Sequence, residues 1–592
     1  MTGLVGIVGD GSASELRRMA ARMDYRGEHI RVWSPAPDVY LAEVSAEPRS
    51  GPAQGPLALD CSGRLYPLPA GIPQPGAVVE HEEVQRGRLE QSLQTDVDAA
   101  LLQLRCSFSL AYWDERDKSL VLACDRHCYK TLYYVQLQGR VAFASDYKAL
   151  LALEDCPAAV DRDALQTYLL TLRCPPDQSL LQKIKPLAAA RLMRIGRGPL
   201  QPRRYWTRQR GNYGLSFDAA AQELRRRLET VIADMTAGLD RVGITLSGGL
   251  DSAALLGLLR KVRPDLQIAS YTIGHGPKDP EILGAQEAAD HFRTEHYPHI
   301  FALAKLPEKL PNFVWMIEDL MGREETLLQH VIARELAQRE RVFVAGNGAD
   351  ADFCGMPRHR LLWLRDKAPR LVRPALEELF VYTQVRTPPH SLLGRALVRM
   401  AYPKDRPEAP LVPSARPVHV RDNYSTLATY QCETLADAPT RYHEPMDAAL
   451  GLTMLTPFFA PEILDFALNC PVSHMVDRHQ QKRVLRAAVA DLLPPTLTNR
   501  PKAIQRLRHD PRLSDTVDGV ADSLNLNNSL HERGLVTPDY VQRLRSRSSG
   551  TAYSQARLHT LWPLICAEIW MRQFVDQRGA PPTGPAGVAV PS

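Results

Sequence analysis

Ser247-Gly248-Gly249-Leu250-Asp251-Ser252 follows the apolar run Val242 to Leu246 and precedes Ala253-Ala254-Leu255-Leu256-Gly257-Leu258-Leu259. That order reads as a strand, a tight glycine turn and the start of a helix. Glycines let backbone N–H groups approach an anion, the helix N-terminus adds partial positive charge, and the Ser247 and Ser252 hydroxyls can donate further hydrogen bonds. The stretch is a phosphate cradle with one odd member. Asp251 puts a carboxylate beside phosphates, which is repulsive without an intervening cation, so it points to Mg²⁺. An ordinary glycine turn with an N-cap accounts for Ser-Gly-Gly alone; the full hexapeptide after a strand is far more specific.

Outward from this loop, the chain from Phe217 has long helical periods, beginning with Ala219 to Met235. Strands are expected at Gly243 to Leu246, Ile268 to Ile273 and Arg341 to Ala345, and the alternation predicts a parallel sheet wrapped by helices. From Gly3 to about Tyr205 the texture differs: short apolar runs such as Phe108 to Trp113, Ser119 to Ala123, Leu132 to Val135 and Val141 to Ala144 alternate with turn residues, as strands do. Pro388 to Pro417 is rich in proline and arginine and reads as a mobile loop or inserted excursion near the active face. Gly579 to Ser592 is Gly/Pro/Ala-rich and reads as a disordered tail.

Composition excludes several classes. The 592 residues are 44% hydrophobic and 23% charged, ordinary values for a globular chain, and the net charge of +5 is small for this length. Arg225-Arg226-Arg227 and Arg543 to Arg547 read as solvated helix faces, so no nucleic-acid partner is expected. The ten cysteines lack a paired framework, and Cys124 with Cys128 has no second pair downstream to complete a zinc site. Reduced thiols, no secretory signal and no membrane-length apolar run give the expectation of a cytoplasmic protein without a membrane partner.

The hexapeptide resembles the pyrophosphate loop of ATP pyrophosphatases, which cleave ATP to AMP and pyrophosphate. In the first half, Phe108 to Asp114, Leu122 to Arg126, Leu132-Tyr133-Tyr134 and Phe143 to Leu151 resemble, in order and spacing, the glutaminase-like domain of asparagine synthetases. Met23 to Gly27 resembles that family's histidine-arginine-glycine turn, with Tyr25 in place of histidine. The resemblance implies an N-terminal Ntn-type αββα sandwich over residues 1–205. A synthetase domain with a doubly wound parallel sheet follows over 206–578, with an insertion at about 385–421 and a tail at 579–592.

By the same resemblance, Ser270 to Gly274 and Gly346-Asn347-Gly348-Ala349-Asp350 contribute to the ATP site. Leu246, Ile273 and Gly346 would line the nucleotide, Ser247, Gly248, Gly249 and Ser252 would hold pyrophosphate, and Asp251 with Asp350 would share Mg²⁺. Lys482, in Lys482-Arg483-Val484-Leu485-Arg486, would hold the α-phosphate and the developing oxyanion, with Arg500-Pro501-Lys502 a further match.

Departures from the family narrow the activity. Thr2 stands where working glutaminases have cysteine, and Ser62-Gly63-Arg64 replaces Asn-Gly-Glu, reversing the charge that would hold an ammonium group. A non-hydrolysing first domain is the expectation. Leu455 and Ala460 have lost the charges that flank a proline in asparagine synthetases, Ala351 replaces a glutamate, and Asn347 stands where they carry another. An amide side chain takes no proton at neutral pH, so a nucleophile that needs little help is expected. A peptide α-amine, with a pKa of about 7.7 to 8.0, is roughly one-tenth neutral at pH 7. The combination looks most like a lasso peptide cyclase. That resemblance implies a linear core peptide as substrate and a leader peptidase and leader-recognition protein as partners. A small-molecule amide or β-lactam synthetase is the alternative, and a tRNA-modifying pyrophosphatase or a silent scaffold fits the motifs less well.

Overall fold

The computed structural model describes residues 2–582 except 49–54, 63–64, 66–81, 173, 175–176, 197, 275, 302–305, 322–324, 386–389, 402–442, 499, 501–510 and 547–550. In the first half, period-two alternation builds two facing antiparallel sheets. One has six strands, in the order His29–Ala36, Val39–Ser45, Thr2–Gly9, Arg140–Ala144, Tyr133–Leu137 and Lys185–Pro186. The other has five, in the order Arg203–Arg204, Arg191–Ile195, Ser119–Cys124, Ser107–Asp114 and Leu57–Ser62. Leu4, Ala58, Leu122 and Phe143 meet between the sheets. Their neighbours point outward: Val5 and Ile7 against the helix Ala13–Ala21, and Leu57 and Leu59 against the helices Glu82–Thr95 and Val97–Gln103. The layers are αββα, as expected.

The second half carries a five-stranded, wholly parallel sheet in the order Glu295–Ile300, Gln267–Gly274, Arg241–Thr245, Val342–Val344 and Thr453–Leu455. By sequence the order is 3-2-1-4-5, a doubly wound sheet whose direction of winding reverses between Arg241–Thr245 and Val342–Val344. Val242 and Ile244 pack under the helices Phe217–Thr236, Leu250–Val262 and Pro280–Phe292. Tyr271 and Phe343 pack on the opposite face, under the helices Leu306–Ile317 and Glu325–Ala337. This second core continues without a break into Met19 and Leu150 of the first half.

Two strands escaped the sequence reading. Glu295–Ile300 is polar and carries Pro298, features of an edge strand, and Thr453–Leu455 has only three residues. The loop expected at Pro388 to Pro417 is partly the helix Leu392–Ala401, which packs on the helix Arg373–Val385; residues 388–389 and 402–417 lie outside the described residues. Of the expected disordered tail, Gly579 is anchored instead, its carbonyl accepting from Trp315 Nε1 at 3.0 Å. Residues 583–592 lie outside the description. No helix among the described residues is long and apolar enough to cross a membrane.

Candidate active site

The winding reversal places the loops after Arg241–Thr245 and Val342–Val344 side by side at the carboxyl ends of the strands, where doubly wound sheets open a crevice. In the first loop Gly248 has φ +62°, and a Cβ there would lie 2.9 Å from the Gly284 backbone, so both the turn and its close packing require glycine. Ser252 Oγ accepts from Ser247 N at 3.2 Å and closes the loop. The helix Leu250–Val262 begins at Gly249 with no side chain capping its first amides, which leaves them suited to an anion. Leu246 and Ile273 form apolar wall, and a Cβ at Gly346 would come within 3.3 Å of Asp251 Cβ.

Lys482 Nζ is the electrostatic centre. It lies 2.7 and 2.5 Å from the two carboxylate oxygens of Asp251 and 2.6 Å from Asp350 Oδ1. Burial works against its charge, but the two carboxylates outweigh burial and raise its pKa. Its backbone is left-handed, φ 55°, just before the helix Arg483–Ala488, and its side chain passes over Gly355, where a Cβ would overlap Lys482 Cε. Asp251 and Asp350 thus reach one common point occupied by a cation. A pair of carboxylates suits Mg²⁺, which is commonly held by one or two carboxylates plus phosphate oxygens. Arg486 and Arg500 line the same cavity, whose volume is about 910 Å³. That is near the top of the ~300–1,000 Å³ range of small-molecule sites. Lys502 lies outside the described residues.

Sequence reasoning missed His443. It sits at the start of the helix His443–Ala449, lines the cavity, and accepts from Asn347 Nδ2 at 3.1 Å through Nε2. Burial lowers its pKa to about 4. A lone histidine outside any motif gives no signal in the sequence.

The same helix reaches the first half. Arg26, fully buried, directs Nε and Nη2 to Asp146 at 2.9 and 2.6 Å, and Nη1 and Nη2 to Glu444 at 2.6 and 2.7 Å. Lys130 Nζ bridges Glu444 at 3.2 Å and Asp60 at 3.1 Å, and Asp60 also accepts from the backbone nitrogen of Thr2 at 3.3 Å. Tyr25, in the histidine's place, donates to Asp146 at 2.7 Å. The resemblance led to an expected altered pocket at Ser62-Gly63-Arg64, of which Gly63 and Arg64 fall outside the described residues. The cluster around Arg26 went unforeseen, because its anchor, Glu444, comes from the other half.

Comparison with known proteins agrees with this two-part fold. Residues 223–572 match the asparagine synthase family and residues 91–206 a glutamine amidotransferase domain. A putative glutamine-hydrolysing asparagine synthetase of Mycobacterium tuberculosis (strain ATCC 25618 / H37Rv) is 24% identical over 81% of this chain and 78% of its own length. Asparagine synthetase 1 of Bacillus subtilis (strain 168) is 21% identical over 82% and 80%. The carboxyethyl-arginine β-lactam synthase of Streptomyces clavuligerus is 23% identical over 65% and 61%. The first match spans more than half of the sequence, and the chain belongs to the asparagine synthase family of ATP-dependent, amide-forming ligases.

Proposed function

We propose that this chain forms the macrolactam of a lasso peptide. With ATP it adenylates an Asp or Glu side-chain carboxylate of a linear core peptide, and the peptide's own N-terminal amine then displaces AMP. The observation that carries this reading is Arg26. Its guanidinium is held on two sides by Asp146 and Glu444, and Lys130 ties Glu444 to Asp60 beside Thr2, so the charged groups around this turn are paired within the protein. The nitrogen then comes from the acyl acceptor itself. A cavity of about 910 Å³ supports a substrate bulkier than aspartate beside the nucleotide. A leader peptidase and a leader-recognition protein are the partners on this reading.

In this assignment Leu246, Ile273 and Gly346 border the nucleotide, while Ser247, Gly248, Gly249 and Ser252 bind its pyrophosphate. Asp251 and Asp350 would hold Mg²⁺, which when bound would supply positive charge to phosphate oxygens. Lys482 swings from the carboxylates to the α-phosphate and the developing oxyanion, where its buried charge acts most strongly. Threading and positioning the peptide supplies the rest: bringing amine and acyl group together is worth as much as ~7–11 kcal/mol.

The test is mass spectrometry of the full chain with Mg-ATP and linear peptides bearing free N-termini and internal Asp or Glu. Loss of one water from a peptide, with equimolar AMP, is the expected result. AMP formed with a small acid, and peptides left unchanged, would favour the second reading, a small-molecule amide or β-lactam synthetase. The carboxyethyl-arginine β-lactam synthase relative supports that reading.

A further inference from the structure

We infer that His443 is the catalytic base of the amide-forming step, taking the proton of the attacking amine on Nε2. This rests on the proposed function, which supplies an amine as nucleophile. A free amine is partly neutral at pH 7, but attack on the acyl carbon leaves its nitrogen positively charged. Loss of a proton from that nitrogen stops the amine from being expelled again, and AMP departs with the C–O electron pair to leave the neutral amide. Asn347, at the position where asparagine synthetases carry glutamate, has no basic atom. The residue it touches does.

With Asn347 Nδ2 facing it at 3.1 Å, His443 Nε2 takes the accepting role in the tautomer that carries its proton on Nδ1. An incoming amine can exchange places with Asn347 on that lone pair. His443, Asn347, Asp350 and Lys482 all line one cavity, so base and acyl-phosphate chemistry share one space. Neighbouring acids are engaged elsewhere: Glu444 with Arg26 and Lys130, and Asp447, held protonated by burial, with Tyr129 Oη at 2.8 Å. His330, on the packed helix Glu325–Ala337, is itself held neutral by burial, its pKa about 3. Burial likewise keeps His443 unprotonated at pH 7, and the negative charge of a bound nucleotide would raise its proton affinity toward the working range. The proton passes from Nε2 to solvent after AMP leaves.

The decisive experiment compares the full chain with His443→Gln and His443→Ala, using a cyclising peptide and Mg-ATP, with and without hydroxylamine. Hydroxylamine is largely neutral at pH 7 and reaches an acyl-adenylate together with solvent, so its adduct can lose the proton to water and give hydroxamate without His443. Macrolactam formation should fall by roughly 10²-fold or more in both variants, while hydroxamate formation persists near the parent rate. Parallel loss of both products would mark His443 as structural and overturn the assignment, as would undiminished cyclisation. If the parent forms neither AMP nor hydroxamate with any peptide, the lasso reading fails by itself. The base is then judged by the ¹⁵N shifts of His443, identified by its absence in His443→Gln. An unprotonated Nε2 at pH 7 supports the assignment, and a ring carrying both protons overturns it.

Discussion

At the scale of single residues, the site turns on one ammonium group between two carboxylates. Lys482→Met removes that charge and leaves Asp251 and Asp350 facing each other, so AMP formation should fall about 10²–10³-fold in a radiometric assay. Lys482→Arg should not restore it, because a guanidinium is planar and wider than the slot over Gly355. Gly355→Ala tests the slot itself. Its Cβ would overlap Lys482 Cε, so AMP release should drop as in Lys482→Met while the thermal unfolding midpoint stays within a few degrees of the parent. A Gly355→Ala protein with full activity would show that the lysine works from another position.

At the scale of elements, the helix His443–Ala449 joins the two halves, with His443 and Asp447 bordering the cavity and Glu444 in the charge cluster around Arg26. Glu444→Ala leaves Arg26 and Lys130 buried with part of their compensation gone. Loss of one partner from such a cluster costs about 3–5 kcal/mol, readable in denaturant unfolding. Asp447 predicts a pH dependence. Burial raises its carboxyl pKa from 3.8 to about 8, so the folded chain keeps a proton that the unfolded chain loses near 3.8. Its stabilising contribution is therefore complete below about pH 4 and is lost as pH rises through 8. Asp447→Asn can still pair with Tyr129 and should flatten the fall in unfolding midpoint between those limits. An unchanged slope would place the proton elsewhere.

At the scale of the whole molecule, the halves share a core and an internal ion cluster, so the first half braces the helix His443–Ala449, which in turn lines the synthetase site. On the proposed reading, incubation with glutamine should release no glutamate, with or without ATP; release above the rate of a heat-denatured control would refute that reading of the first half. The glycine loop at Ser247 to Ser252 and both sheet types were legible in the sequence, because glycine torsions, strand period and helix starts are set by neighbours along the chain, whereas the Asp350 loop and Lys482 were legible only through the family resemblance. His443 and Glu444 were not legible. Glu444 meets Arg26 across 418 positions, and His443 meets Asn347 across 96. The two short or polar edge strands were missed for a related reason: they bury too little to impose an apolar pattern. The sequence by itself determined the family of fold and the glycine turn at Gly248, since strand period and backbone torsions are set locally. Only the tertiary structure decided that Arg26 is satisfied from within and that a neutral imidazole faces Asn347, since the fate of a buried charge depends on what folding places opposite it.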